Sequence, residues 1–165
     1  MVIDLKHIFV NENSSLPIEY SLDLSQVEHG GVFPLKKPVT LIGTVSNTSS
    51  LIRFQAEISF QFDALCDRCG KETSKTYKVE VSKSLATSIE GDDSDTILLV
   101  PDMKLDVDDF LYTEVIVNLP LKHLCSEDCK GICYKCGKNL NEGACSCDTR
   151  EIDPRLAKLA ELLNN

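Results

Sequence analysis

Apolar and polar residues alternate along much of the first hundred residues, and this period of two predicts β-strands with one face in a hydrophobic core. The clearest example is the segment LIRFQAEISFQFDALC, in which every second position from 52 to 62 is apolar. The same alternation occurs in PIEYSLDLS and TSKTYKVEVSKSLA, and VTLIGTVSN is a further strand candidate. The polar sequences SNTSS and CDRCGKE are predicted turns between consecutive strands. Cys66 and Cys69 would therefore lie at the tip of a β-hairpin.

Two segments have the spacing of helices rather than of strands. The first is predicted over 106–118, with Asp106 as its N-cap. Its apolar positions would share one face of that helix: Val107, Phe110, Leu111 and Val115. The second is predicted over 153–163, where Asp153 is a good N-cap and Pro154 suits the first helical position.

Length and composition are those of an ordinary globular chain of 165 residues, of which 42% are hydrophobic and 26% charged. The segment MVIDLKHIFV lacks the basic start and the uninterrupted apolar stretch of a secretory signal. No apolar run approaches the roughly 18 residues that a membrane helix requires. We therefore expect a cytoplasmic protein that does not associate with membranes.

The formal net charge of −9 is concentrated in one part of the chain. Residues 90–114 contain nine acidic side chains against the single base Lys104. Nonspecific nucleic-acid binding normally needs a basic patch, so this acidic stretch favours a basic partner, such as a ribosomal protein. A solvated acidic loop that only maintains solubility is the alternative interpretation.

Eight cysteines are the most informative residues of the sequence. In a reducing compartment, clustered cysteines bind metal more often than they form stable disulfides. Cysteines separated by two residues, as in CDRCG and CYKCG, suit Zn²⁺, which takes four thiolate or imidazole ligands in a tetrahedron. A local site is predicted from Cys133, Cys136, Cys145 and Cys147. The cysteines left for a second site, which would join the hairpin to the C-terminal segment, are Cys66, Cys69, Cys125 and Cys129.

Alternatives to two structural zinc ions stay open at this point. One zinc ion with the remaining cysteines free, an iron–sulfur cluster and disulfides are each compatible with the spacing. A thioredoxin-like redox motif is disfavoured because neither CxxC pair has a βαβ context.

The histidines argue against a catalytic metal. Catalytic zinc keeps one position open for water and usually has a histidine or carboxylate beside it. The three histidines, His7, His29 and His123, occur in neither a His-x-Glu nor a His-Glu-x-x-His arrangement. His123 lies two residues before Cys125, and we interpret it as a surface histidine, with a ligand role as the alternative. We therefore expect closed, structural sites and no enzymatic activity.

Together these patterns predict an α+β fold with a predominantly antiparallel β body. The body is predicted over residues 1–120, with an acidic loop at 90–109 and a helix near 106–118. Residues 121–165 are predicted to form a cysteine-rich zinc-binding segment and a short C-terminal helix, packed with the body as one domain.

The cysteine run LCSEDCKGICYKCGKNLNEGACSC, followed by IDPRLAKLAELL, resembles the C-terminal half of the YceD family. These are bacterial proteins linked to the accumulation of large-subunit ribosomal RNA. The upstream FDALCDRCG and LDVDDFLYTEVIVNLPLKHLC are similar to the central pattern of that family. The full cysteine complement resembles the form found in Gram-positive bacteria. The first 45 residues resemble the family only in their β-rich character.

The resemblance implies a non-enzymatic factor that supports the accumulation of large-subunit (23S) ribosomal RNA and large-subunit biogenesis. The expected partner is a pre-ribosomal large-subunit particle or a basic ribosomal protein. Direct contact with ribosomal RNA is the alternative, through the basic residues Lys130, Lys135, Lys138 and Arg150. A different function, that of a zinc-ribbon module acting on transcription or on another protein complex, is the second hypothesis.

Overall fold

A computed structural model describes residues 1–88 and 96–147. The predicted helix over 153–163 and the whole acidic segment EGDDSD lie outside the described residues. The first elements are β1 (Val2–Asp4), α1 (Lys6–Val10), β2 (Ser15–Leu22) and β3 (Val39–Thr48). They are followed by β4 (Leu51–Leu65), β5 (Glu72–Ala86) and β6 (Ile97–Leu99). A single 3₁₀ turn (Pro101–Met103), β7 (Lys104–Asp106) and α2 (Val107–Val117) complete the described elements.

Five strands form the main sheet, in the order β2-β3-β4-β5-β6. Strands β2, β3 and β4 are antiparallel to their neighbours, as the alternating sequence pattern predicts. Strand β6 departs from the expected arrangement because it pairs with β5 in parallel, with Leu98 opposite Leu85. The predicted fold class, α+β with mostly sheet, is confirmed at this level.

The turn between β3 and β4 is shorter than the sequence predicts. Thr48 pairs with Leu51, so only Ser49 and Ser50 form the turn, and both have positive φ angles of 52° and 63°. The strand extends through Asn47 because this side chain is buried, with its Nδ2 donating to the carbonyl oxygen of Ile8 at 2.7 Å. A buried polar side chain thus ties α1 to β3.

Three short elements were not predicted from the sequence. Strands β1 and β7 form a two-stranded antiparallel sheet, and the five-residue helix α1 follows β1. Elements of three to five residues are too short to show a hydrophobic period, so only their tertiary partners define them.

The hydrophobic core lies on the face of the sheet that carries the apolar positions of β4. These side chains are at most 8% exposed: Ile52, Phe54, Ala56, Ile58, Phe60 and Phe62. Helix α2 covers part of this face, with the ring of Phe110 5.1 Å from that of Phe54. Burial of the alternating row confirms the predicted strand face.

Helix α2 begins where the sequence predicts. The Asp106 side chain accepts hydrogen bonds from the backbone N–H groups of Asp108 at 3.0 Å and Asp109 at 3.5 Å. This is the N-cap arrangement expected for an aspartate. The predicted apolar face is buried: Val107, Phe110, Leu111 and Val115.

The chain divides into two compact units. Unit 1 comprises residues 1–64 and 72–123 and contains all the strands and helices above, apart from the last residue of β4. Unit 2 comprises residues 65–71 and the chain after residue 123, described here to residue 147. All eight cysteines belong to unit 2. The predicted boundary near residue 120, with both parts in one domain, stays a prediction.

The described helices include none that is both long enough and apolar enough to cross a lipid bilayer.

We expect Gly43→Ala to destabilise unit 1. Gly43 pairs with Ala56, and an added Cβ would lie 2.7 Å from both the Ala56 Cβ and the Gln55 carbonyl oxygen. Overpacking of this kind costs about 1–3 kcal/mol of unfolding free energy, measurable by chemical denaturation. Thr44→Ala, at the exposed neighbouring position, is the control and should cost about 1 kcal/mol or less. Equal stability of Gly43→Ala and the native protein would contradict the close strand approach.

Candidate metal centre

The tip of the β4–β5 hairpin is a tight turn that places two cysteines close together. Within the sequence CDRCGK, the Gly70 N–H donates to the Cys66 carbonyl oxygen at 2.8 Å, and the Cys66 N–H donates to the Lys71 carbonyl oxygen at 2.9 Å. Gly70 has a φ of 69°, which favours glycine at this position. The two hydrogen bonds close the turn so that Cys66 and Cys69 both contribute to one sulfur cluster.

The same turn recurs in the sequence CYKCGK. The Gly137 N–H donates to the Cys133 carbonyl oxygen at 2.8 Å, and the Cys133 N–H donates to the Lys138 carbonyl oxygen at 2.8 Å. Gly137 has a φ of 72°, close to that of the first turn. The six-residue pattern Cys-x-x-Cys-Gly-Lys therefore forms the same turn, here called the cysteine turn, at residues 66–71 and 133–138. The sequence predicts the two Cys-x-x-Cys-Gly copies, and the structure adds that the carbonyl of the following lysine closes each turn.

Unit 2 brings the cysteine sulfurs together in two groups of four. The first tetrad consists of Cys66, Cys69, Cys125 and Cys129. The second tetrad consists of Cys133, Cys136, Cys145 and Cys147. Within each tetrad all sulfur atoms lie within 4.8 Å of one another. The grouping matches the two sets proposed from the spacing, and metal binding by these eight residues stays a prediction.

The sulfur separations suit a single metal ion better than disulfides. In the first tetrad, the sulfurs of Cys66 and Cys129 are 3.8 Å apart, and those of Cys69 and Cys125 are 3.6 Å apart. A tetrahedral zinc ion with bonds of about 2.3 Å separates its sulfur ligands by about 3.8 Å, whereas a disulfide requires about 2.05 Å. All eight cysteines are free thiols in the structure. Both tetrads could hold metal ions.

In the first tetrad, the pKa of one cysteine is lowered and the pKa of another is raised. Burial acts to raise the pKa of Cys66, but backbone N–H groups that donate to its sulfur lower this pKa to about 6; the donors are Cys125, Arg68 and Cys69. The Cys129 side chain, followed by burial, raises the pKa of Cys125 to about 12. A metal that enters this site must therefore displace a proton from Cys125.

The second tetrad likewise contains one cysteine with a lowered pKa and one with a raised pKa. Backbone N–H groups of Cys136 and Lys135 lower the pKa of Cys133 to about 6. The Cys136 side chain, followed by burial, raises the pKa of Cys147 to about 12. In both tetrads, the first cysteine of the turn favours the thiolate that metals bind, because backbone N–H groups donate to its sulfur; for Cys133 they come from its own turn, and for Cys66 from its turn and from Cys125.

Asn141 supports the first tetrad, and the sequence analysis did not assign it that role. Its Nδ2 donates to the Cys129 sulfur at 3.3 Å, and its Oδ1 accepts from the Lys130 N–H at 2.8 Å. The first of these contacts is the main cause of a lowered pKa at Cys129. Asn139 holds Asn141 in turn, since the Asn139 Oδ1 accepts from the Asn141 N–H at 3.0 Å. The Asn-Leu-Asn sequence after the second turn was the available signal.

The prediction that His123 is a surface histidine is wrong. Its side chain is only 3% exposed, with Nε2 2.5 Å from the Thr73 Oγ1. The imidazole ring also packs 5.1 Å from the ring of Phe62. The prediction failed because the sequence alone does not show that Thr73 and Phe62 lie beside the His123 side chain. Neither sulfur tetrad includes a histidine among the described residues.

A known protein family matches the part of the chain that contains both tetrads. A family described as "Large ribosomal RNA subunit accumulation protein YceD" matches residues 54–163, about two thirds of the chain. The chain belongs to the YceD family. The matched region begins within β4 and includes both tetrads, so the sites lie in the part of the chain that defines its membership.

Individual relatives of this YceD-family chain are distant. The Arabidopsis thaliana "Large ribosomal RNA subunit accumulation protein YCED homolog 1, chloroplastic" is 23% identical over 160 residues, covering 79% of this chain and 50% of the relative. The Zea mays protein of the same name is 33% identical over 75 residues, covering 42% of this chain and 26% of the relative. A Mycobacterium tuberculosis protein named only as uncharacterized is 24% identical over 151 residues, covering 89% and 70%.

The chain thus spans about half of the Arabidopsis relative and about a quarter of the maize relative. No solved structure matches the chain. The comparisons connect the YceD family by name with the accumulation of large-subunit ribosomal RNA.

We expect this YceD-family protein, purified without oxygen, to carry two metal equivalents per chain, one for each tetrad. Cys129→Ser and Cys147→Ser should each remove one equivalent, and the double variant should carry none. Inductively coupled plasma mass spectrometry on the folded protein measures the stoichiometry. Ser126→Ala, at an exposed position between ligands, is the control and should keep both equivalents. Full metal content in the double variant would show that the tetrads are not the binding sites.

Proposed function

We propose that the protein is a non-enzymatic cytoplasmic factor that supports the accumulation of large-subunit (23S) ribosomal RNA and large-subunit biogenesis, with one structural zinc ion in each tetrad. Membership of the YceD family and the names of its plant relatives support the ribosomal role. The composition of unit 2 supports the role of zinc.

The observation that carries the zinc proposal is the absence of an ordinary core in the described part of unit 2. Its buried hydrophobic side chains are Cys66, Cys129 and Cys133, all of which belong to the tetrads. Larger apolar side chains there are exposed, including Leu65 at 54%, Ile132 at 51% and Tyr134 at 69%. A segment that buries so little apolar surface needs another source of stability, which structural zinc supplies on binding.

The donor set of each tetrad suits a structural zinc ion better than a catalytic metal ion. Each tetrad offers four sulfurs, so a bound ion would have no coordination position left for water or substrate. All-cysteine sites of this kind are closed and structural. This saturation supports a structural rather than a catalytic role for an ion in either tetrad.

The charge of unit 2 favours a protein partner over direct binding of RNA. Its described residues include five basic side chains and four acidic ones. Each zinc ion bound by four thiolates adds two negative charges, so the loaded unit is negative overall. A basic ribosomal protein, or a pre-ribosomal large-subunit particle that presents one, is therefore the proposed partner.

Depletion of the protein in the cell that encodes it tests the ribosomal role. We expect the ratio of large-subunit to small-subunit ribosomal RNA to fall, with loss of large-subunit particles in sucrose gradients. Re-expression of the native chain should restore the ratio, whereas the Cys129→Ser, Cys147→Ser double variant should not. An unchanged ratio after full depletion would favour the second hypothesis, a zinc module acting on transcription or on another protein complex.

Charge variants test the nature of the partner. Reversal of the acidic side chains Asp92, Asp93 and Asp95 to lysine should weaken co-sedimentation with large-subunit particles, because it removes attraction to a basic surface. Neutralisation of Lys130, Lys135 and Lys138 to glutamine should leave co-sedimentation nearly unchanged. The opposite pattern would show direct contact with RNA, and an effect of neither set would exclude both mechanisms.

A further inference from the structure

The two cysteine turns differ at their second and third positions, and the third position matters for the geometry of the first site. In the pattern Cys-x-x-Cys-Gly-Lys, the third residue is Arg68 in the first turn and Lys135 in the second. The backbone hydrogen bonds of the two turns are the same. Any difference in behaviour between the sites must therefore come from the side chains of the turns and from the segments that they contact.

Arg68 connects the two chain segments that supply the first tetrad. Its Nη1 donates to the Cys129 carbonyl oxygen at 2.7 Å and lies 3.4 Å from the Glu127 carbonyl oxygen. Cys66 and Cys69 belong to one segment, and Cys129 belongs to the other. A charged donor on a carbonyl makes a stronger hydrogen bond than a neutral one. The guanidinium thus fixes the backbone of a ligand residue on the opposite half of the site.

Gly131 provides a second, independent contact between the same two segments. It is buried, has a φ of 74°, and a Cβ added there would lie 3.0 Å from the Arg68 carbonyl oxygen. The backbone of the turn therefore approaches the C-terminal segment closely at this point. The Arg68 side chain is therefore hydrogen-bonded to the opposite segment, and the Arg68 main chain lies close against it at Gly131.

The two tetrads differ in how far apart their ligands lie along the chain. In the first, Cys66 and Cys129 are 63 residues apart, and Cys69 and Cys125 are 56 apart. In the second, all ligands fall between residues 133 and 147. Joining distant segments costs more loop-closure entropy than joining near ones, so the first tetrad gains more from contacts that hold it in place.

The solvent exposure of the cysteine ligands also differs between the two tetrads. Cys66 and Cys129 are buried at 2% and 3% exposure, whereas Cys136 of the second tetrad is exposed. A chelator must reach the sulfurs or the ion to remove it, and the second tetrad offers easier access.

We propose that Arg68 is a positioning residue that holds the two halves of the first tetrad together, so that this site releases its metal more slowly than the second. The first tetrad is then the slowly exchanging cross-link, and the second exchanges its metal faster. This inference rests on the proposed zinc binding and adds to it a distinction between the two ions.

Zinc transfer from the fully loaded chain to the chelator pyridylazoresorcinol tests the proposal. We expect two phases of equal amplitude, the fast one absent from Cys147→Ser. Arg68→Ala should accelerate the slow phase by about 10-fold, in the range typical for residues that orient metal ligands, and leave the fast phase unchanged. Lys135→Ala, at the matched position of the second turn, is the control and should leave the slow phase unchanged.

A conservative variant separates positioning from a general loss of structure. Arg68→Lys keeps the charge but loses the planar fork of donors, so the slow phase should accelerate by less than in Arg68→Ala. The cobalt-substituted variants should keep the visible absorption of two tetrahedral thiolate sites. If Arg68→Ala does not fold, the comparison of Arg68→Lys with Lys135→Ala decides the question.

The outcomes distinguish the inference from the proposed function. A native chain with two zinc ions whose slow phase is unaffected by either Arg68 variant would overturn the role of Arg68 only. Equal acceleration of both phases would also overturn it, since a general loss of structure would explain that result. A native chain that carries no zinc after anaerobic purification would overturn the proposed zinc sites and this inference together.

Discussion

Burial of one alternating row of side chains on β4 is the constraint on which unit 1 depends. Phe54, Ile58 and Phe60 are at most 2% exposed, and Phe54 meets the ring of Phe110 on α2. A shift of one residue in register would turn this whole row to solvent, so the pairing of β4 with β3 is strongly specified. The hairpin that continues from β4 ends in the turn that carries Cys66 and Cys69.

Unit 2 follows a different physical principle from unit 1. Its described residues bury cysteine side chains rather than large apolar ones, and its turns are closed by backbone hydrogen bonds around two glycines. Hydrogen bonds from backbone N–H groups to a cysteine sulfur lower the pKa of Cys66 and of Cys133, which favours one thiolate in each tetrad. We therefore expect the stability of unit 2 to depend on metal binding by its cysteine sulfurs, whereas that of the sheet depends on hydrophobic packing.

The repeated turn shows how one local motif can serve two purposes. Both copies have the same hydrogen bonds, but only the first brings together segments that lie far apart in the chain. Arg68 and Gly131 supply contacts between those segments, and Asn141 adds a hydrogen bond to the Cys129 sulfur. In this YceD-family protein, these contacts hold together the two chain segments that supply the first tetrad.

Local patterns in the sequence were sufficient for the alternating face of β4, the Asp106 cap of α2 and the grouping of the four cysteines of the second tetrad. Each depends on spacing within a few residues or on chain order, which the sequence shows directly. Tertiary structure alone decided the parallel pairing of β6, the burial of His123 and Asn47, and the contact of Arg68 with Cys129. These features join residues that are distant in the chain, and their partners are chosen by packing and by the need to satisfy buried polar groups.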